Sequence, residues 1–281
     1  MLSKQIFITA FGMIFTNFTT TLRTTLPIFL GGVLIAQMLA MIVSGDANIL
    51  LYPKLETTQN TDVFQILFFA LLIGLIFTAM IVQWHRHNLL PLTHPRRHLL
   101  AFPPLSAVKD YCLALLRLLL LLVPFFLAAG VVIILLLITV NAVAPVSPLV
   151  GVLFNIVFSF VATILATAFV LRWSLILPAA AIGAPLTLRG SRTISAPLSR
   201  TILILATAQL VLFVLLEFIS AQVAELIPGL ATFIGLMLLW FEMLFSASVL
   251  TALYAHLARV ADETPKIPEP AVIGPYQNLR R

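Results

Sequence analysis

RLLLLLVPFFLAAGVVIILLLITVNAVAPVSPLVGVLFNIVFSFVATILATAFVLR, Arg117 to Arg172, carries no charge between its two terminal arginines. A helix needs about 20 apolar residues to cross a ~30 Å hydrocarbon core, so this stretch is too long for one span and well sized for two. The segment Asn141-Ala-Val-Ala-Pro145-Val-Ser-Pro148 divides it, because proline lacks a backbone donor and clashes inside a helix, while Asn and Ser favour turns. The stretch reads as a helical hairpin, with spans at about 118–140 and 149–171 and an arginine at each foot.

The rest of the chain repeats that theme. Of its 281 residues 61% are hydrophobic and 9% charged, and the mean hydropathy is +1.13. A soluble domain is about one quarter charged, and so few charges could not cover a fold of this size. Long apolar runs predict further spans at about 26–43, 63–84, 201–224 and 230–254, the first with Pro27 in its opening turn, where a missing N–H does little harm. The fold class expected is an all-α bundle of six transmembrane helices.

Before the first span, Phe7, Phe11, Ile14, Phe15, Phe18 and Leu22 share one helical face, and residues 1–22 read as an amphipathic helix in the membrane interface. Lys4 followed by an apolar run resembles a leader, but no small-x-small site follows, so the segment reads as retained. Leu105 to Leu116 forms a second amphipathic stretch, with Ser106, Lys109 and Asp110 off its apolar side. Basic loops are expected at about 85–104 and 172–200. Residues 259–281, rich in proline and charge, read as a disordered tail. The lone Cys112 offers neither an intrachain disulfide nor a metal cluster and reads as a small interfacial hydrophobe.

Charge placement fixes an expected orientation. If the outer loops are 44–62, 141–148 and 225–229, only Lys54 of the 16 Lys and Arg residues lies outside. Short cytoplasmic loops are enriched in Lys and Arg, so both termini are placed in the cytoplasm and the chain in a bacterial inner membrane. The net charge of +6 is thereby assigned to anionic lipid on the cytoplasmic face rather than to nucleic acid. Arg23, Arg86, Arg96, Arg97, Arg117, Arg172, Arg189, Arg192 and Arg200 are the interface candidates. Arg23, Arg117 and Arg200 open the odd-numbered spans, and Trp84 and Trp173 close spans 2 and 4. Three repeated hairpin units account for this; so does the general anchoring of span ends by Arg and Trp.

Asn17-Phe-Thr-Thr-Thr-Leu-Arg-Thr-Thr-Leu-Pro27, Trp84-His85-Arg86 and Arg172-Trp-Ser-Leu-Ile-Leu-Pro-Ala-Ala-Ala-Ile-Gly183 together resemble bacterial six-span inner-membrane proteins similar to the membrane domain fused to some glycerophosphoryl diester phosphodiesterases. The resemblance covers roughly residues 5–258. It implies a fold; the phosphodiesterase activity of such fusions belongs to a soluble barrel that this chain is too short to contain.

Two constellations could carry chemistry. His85, His87, His94 and His98 hold imidazoles near one another, but arginines 86, 96 and 97 repel a cation and no acidic or thiol ligand joins them. No metal and no cofactor is expected. Glu217 and Glu242 fall inside spans with no basic residue between Arg200 and Arg259. Measured from Pro228 their depths differ by about 4 to 5 Å. An intramembrane acid marks a relay or a neutral carboxyl bonding a neighbouring helix, and Gln209 is a candidate companion. Ser159, Thr163 and Thr167, beside Ala162 and Ala166, read as a close-packing face. The function expected is a non-enzymatic membrane scaffold or partner-binding protein in envelope or lipid homeostasis, with the lipid bilayer and a membrane protein as partners. The alternative is a proton- or cation-coupled transporter or channel using Glu217 and Glu242.

Overall fold

The computed structural model describes residues 1–44, 63–90, 103–143, 148–184, 186–227 and 230–263. Among them all regular structure is helical: α1 Leu2–Phe15, α2 Phe18–Ser44, α3 Val63–Leu89, α4 Leu105–Val143, α5 Pro148–Trp173, α6 Ile176–Ile182, α7 Leu188–Ser195, a 3₁₀ turn Ala196–Leu198, α8 Ser199–Leu226 and α9 Ala231–Glu263. Consecutive long helices pack as hairpins, α2 on α3, α4 on α5 and α8 on α9, while α9 also receives α1, α3 and α6. Five stretches of the described residues are long and apolar enough to cross a membrane: Phe18–Leu39, Leu105–Val131, Gly151–Ile182, Leu188–Leu226 and Ala231–Val260. This is a membrane-embedded helical bundle.

Burial is strongly one-sided. Buried side chains gather in the first half of α2, the last third of α3, the first half of α4, the end of α5 with α6, the start of α8 and the second half of α9. Because neighbouring long helices run in opposite directions, these segments all meet at one end of the bundle. Trp84, Phe29, Phe245, Leu253 and His85 are among its fully enclosed side chains. The opposite halves expose Leu127, Ile156, Phe218 and Ile219. Contiguous apolar surface of this extent needs hydrocarbon rather than water around it.

Several boundaries depart from the sequence expectation. The expected N-terminal helix ends at Phe15 rather than Leu22, and α1 is docked on α9: Ile6, Ala10 and Ile14 are buried, and Phe7 and Phe11 meet Phe245 at ring centroids of 5.3 and 4.7 Å. Those three recur every four residues, so one stripe of α1 closes against α9 while Phe15 and Phe18 stay exposed. Helix α2 starts at Phe18, which places Pro27 inside it rather than in its first turn. The amphipathic stretch 105–116 and the third span form one helix of 39 residues with Pro124 inside. At 1.5 Å per residue it is about 58 Å long, so part of it must lie beyond a ~30 Å core.

The expected basic loops are also partly helical. Helix α3 continues through His85, Arg86 and His87 to Leu89. Between α5 and α8 lie α6, α7 and the 3₁₀ turn. Gly183 ends α6 at φ 78°, a left-handed conformation that favours glycine. Ser191, fully buried, donates to the carbonyl of Arg172 at 2.7 Å and so caps the end of α5. Helix α9 runs to Glu263, beyond the expected start of the tail at 259. The Pro145 and Pro228-Gly229 breakers, the outer loop with Lys54, and the tail from 264 lie outside the described residues, as do Arg96, Arg97, His94 and His98.

Candidate functional site

The packed end is held by a recurring device in which a hydroxyl on one helix serves two partners. Ser248 donates to the carbonyl of Leu244 one turn earlier, at 2.7 Å, and accepts from Trp84 Nε1 at 3.0 Å. Thr25 donates to the carbonyl of Thr21 at 2.8 Å and accepts from Trp240 Nε1 at 3.1 Å. Thr251 donates to the carbonyl of Ala247 at 2.7 Å, and its oxygen lies 2.7 Å from His85 Nδ1. A hydroxyl has one hydrogen. With that hydrogen on Ala247, Thr251 must accept, and Nδ1 of His85 must donate.

This fixes the imidazole. Nε2 has no hydrogen-bond partner among the described residues, so nothing there stabilises a second proton on it. With Nδ1 as the donor, a neutral imidazole leaves its Nε2 lone pair to accept. Beside it, Arg86 is 5% exposed and donates from Nη1 to the carbonyl of Ala181 in α6 at 2.8 Å. Arg86 thus braces α3 against α6; the expected lipid-facing position is corrected by the continuation of α3, which turns this side chain inward.

Behind His85 lies a cavity of about 550 Å³ between α3, α4, α5, α6, α8 and α9. Its polar lining includes His85, Tyr111, Ser174, Gln209, Glu242 and Ser246. The remaining lining is largely apolar, Phe126, Phe213 and Leu239 among it. Gln209 Nε2 donates to Ser246 at 2.7 Å, while Gln209 Oε1 and Glu242 Oε1 are enclosed and have no hydrogen-bond partner among the described residues. A second cavity of about 270 Å³ separates α4 from α6 and is lined by Asp110 and Arg117.

The sequence candidates separate accordingly. Glu242 and Gln209 come together on the larger cavity, with Gln209 buried and Glu242 half-buried. Glu217 is exposed on α8, within electrostatic reach of Glu242 but not part of that lining. Arg23, Arg117, Arg189, Arg192 and Arg200 are exposed and Arg172 is half-buried. Of the expected close-packing face on α5, Thr167 and Ala166 line the cavity, whereas Ser159 and Thr163 are exposed. Cys112 is half-buried.

Sequence reasoning missed Tyr111, Ser246, Ser248 and Thr251. The signal available was the spacing of small hydroxyls along α9, where 248 and 251 share a face; their partners on α3 are not local. Among the described residues no group of three His, Cys, Asp or Glu could hold a metal ion. Chemically, the cavity presents hydrogen-bond acceptors in an apolar setting. Comparison with protein-family models, with curated proteins and with solved structures finds no match.

Proposed function

We propose that this chain is a six-span protein of a bacterial inner membrane, with both termini in the cytoplasm, acting as a non-enzymatic scaffold or partner-binding protein in envelope or lipid homeostasis. The packed end supports this reading. It is the end that carries Lys4, Arg23, Lys109, Arg117, Arg189, Arg192, Arg200 and Arg259, all exposed, and cross-helix bonds from Trp84, His85, Arg86 and Trp240 hold it together. A stiff basic face suits anionic head groups, each Lys or Arg near the surface contributing about 1 kcal/mol. Helix α3, 27 residues long, supplies the sixth span.

The test is purification in mild detergent, with mass spectrometry of retained lipid and protein. Wild type should retain anionic phospholipid, and replacing Arg189, Arg192 and Arg200 together by Gln should remove it without lowering the melting temperature. Equal retention by both forms contradicts the reading. The placement of Glu242 and Gln209 on one cavity favours the transporter alternative instead. Proton or cation flux in liposomes that Glu242→Gln abolishes, with melting unchanged, would establish it.

A further inference from the structure

The larger cavity has a recognition chemistry that the scaffold reading does not use. Its volume of about 550 Å³ lies inside the ~300–1,000 Å³ range of ligand sites. It is elongated: Leu239 and Leu250 both line it from α9, and at 1.5 Å per residue they are about 16 Å apart along the axis. Leu239 and Phe126 line it while remaining 44% and 45% exposed. The mouth therefore opens on the side of the bundle that faces hydrocarbon.

The polar atoms form a ladder along one wall. Glu242 and Ser246 stand one turn apart on α9, Gln209 sits opposite Ser246, and His85 sits at the level of Thr251. From 242 to 251 the ladder spans about 13 Å. Three of its atoms lack a partner among the described residues: His85 Nε2 and Gln209 Oε1, which accept because Nδ1 and the amide nitrogen are committed elsewhere, and Glu242 Oε1, which accepts from an ionised carboxyl or donates from a neutral one. His85 is completely buried and Gln209 is 7% exposed.

Acceptors call for donors, and among the described residues no Lys or Arg lines the cavity. A phosphate or carboxylate head would bring further lone pairs against this wall with no cation to meet them. A primary ammonium carries its donors on one atom and suits converged acceptors, whereas these are strung out by about 13 Å. Separate hydroxyls match the spread. We propose that the cavity binds an uncharged, hydroxyl-bearing lipid of the monoacylglycerol class, entering between Phe126 and Leu239 with its hydroxyls toward His85 and Gln209 and its chain along the apolar wall.

The experiment uses the full chain in nanodiscs and a tritiated 1-monooleoylglycerol probe, with oleate, oleylamine and a lysophosphatidylglycerol as competitors. Gln209→Leu removes an acceptor at similar volume, and Ala166→Phe fills the cavity. Saturable binding of one equivalent is expected, weakened about tenfold or more by each variant, tenfold being the effect of losing about 1.4 kcal/mol. The three competitors should displace it at least about ten times less well than unlabelled probe. Melting temperatures report folding; if Ala166→Phe does not fold, Leu239→Trp at the exposed mouth carries the blocking test. Non-saturable uptake, binding indifferent to both cavity variants, or preference for oleylamine or an anionic competitor overturns the proposal. Because the scaffold test reads anionic lipid at surface arginines, the two readings fail separately.

Discussion

Replacing Thr251 by Val isolates one cross-helix bond. The two side chains are nearly the same size, so no cavity opens, and the carbonyl of Ala247 keeps its backbone partner within α9. What is lost is the acceptor for His85 Nδ1–H at 2.7 Å. Both residues are 0% exposed, so the donor cannot turn to water, and an orphaned buried donor costs about 1–3 kcal/mol. Removing the buried hydroxyl offsets part of that. The expected destabilisation is about 1–2 kcal/mol, above the ~0.6 kcal/mol average for interhelical hydrogen bonds in membranes. His85→Phe in the Thr251→Val background removes the orphan itself. The double variant should therefore be more stable than the sum of the single effects predicts, by about 1 kcal/mol. Thermal unfolding in one detergent, across wild type, both single variants and the double, measures this. Thr251→Val within about 0.3 kcal/mol of wild type, together with an additive cycle, would refute the tautomer and the bond.

Other positions give sharper or smaller effects. A Cβ on Gly32 would lie 3.0 Å from Ile76 Cγ2 and 3.2 Å from Phe77 Cε1, so Gly32→Leu should separate α2 from α3 and cost about 1–3 kcal/mol, an overpacking penalty read by thermal melting. Ser191→Ala strips the cap from the carbonyl of Arg172 and should lower stability by about 1 kcal/mol in the same assay, whereas Thr193→Ala, exposed on the same helix, should stay within about 0.5 kcal/mol. For the histidines, elemental analysis of purified protein should find no stoichiometric zinc or iron; one equivalent lost on replacing His85 and His87 together would contradict this.

What the sequence made legible was whatever depends on local composition. The stretches 149–171 and 201–224 are helical, within α5 at Pro148–Trp173 and α8 at Ser199–Leu226, because apolar runs and breakers are local signals. Where the helices extend, at His85 to Leu89 and Arg259 to Glu263, polar residues were mistaken for a loop. A helix leaving hydrocarbon need not stop, and Arg86 finds its acceptor on α6. The cavity was only half legible. Glu242 and Gln209 stood out as polar residues in apolar runs, but His85, Tyr111 and Ser246 join them only once six helices are assembled. Helix α1 shows the same limit: its face of phenylalanines was visible, whereas its partner, α9, lies more than two hundred residues away in the chain.

The most direct test of the account is a topology map by reporter fusions, since a six-span protein with its packed, basic end in the cytoplasm is the claim on which the rest depends. Fusions after residues 55, 145 and 228 should report the periplasm, and fusions after 95, 190 and 275 the cytoplasm. Reversed signals at any two of these positions would contradict it.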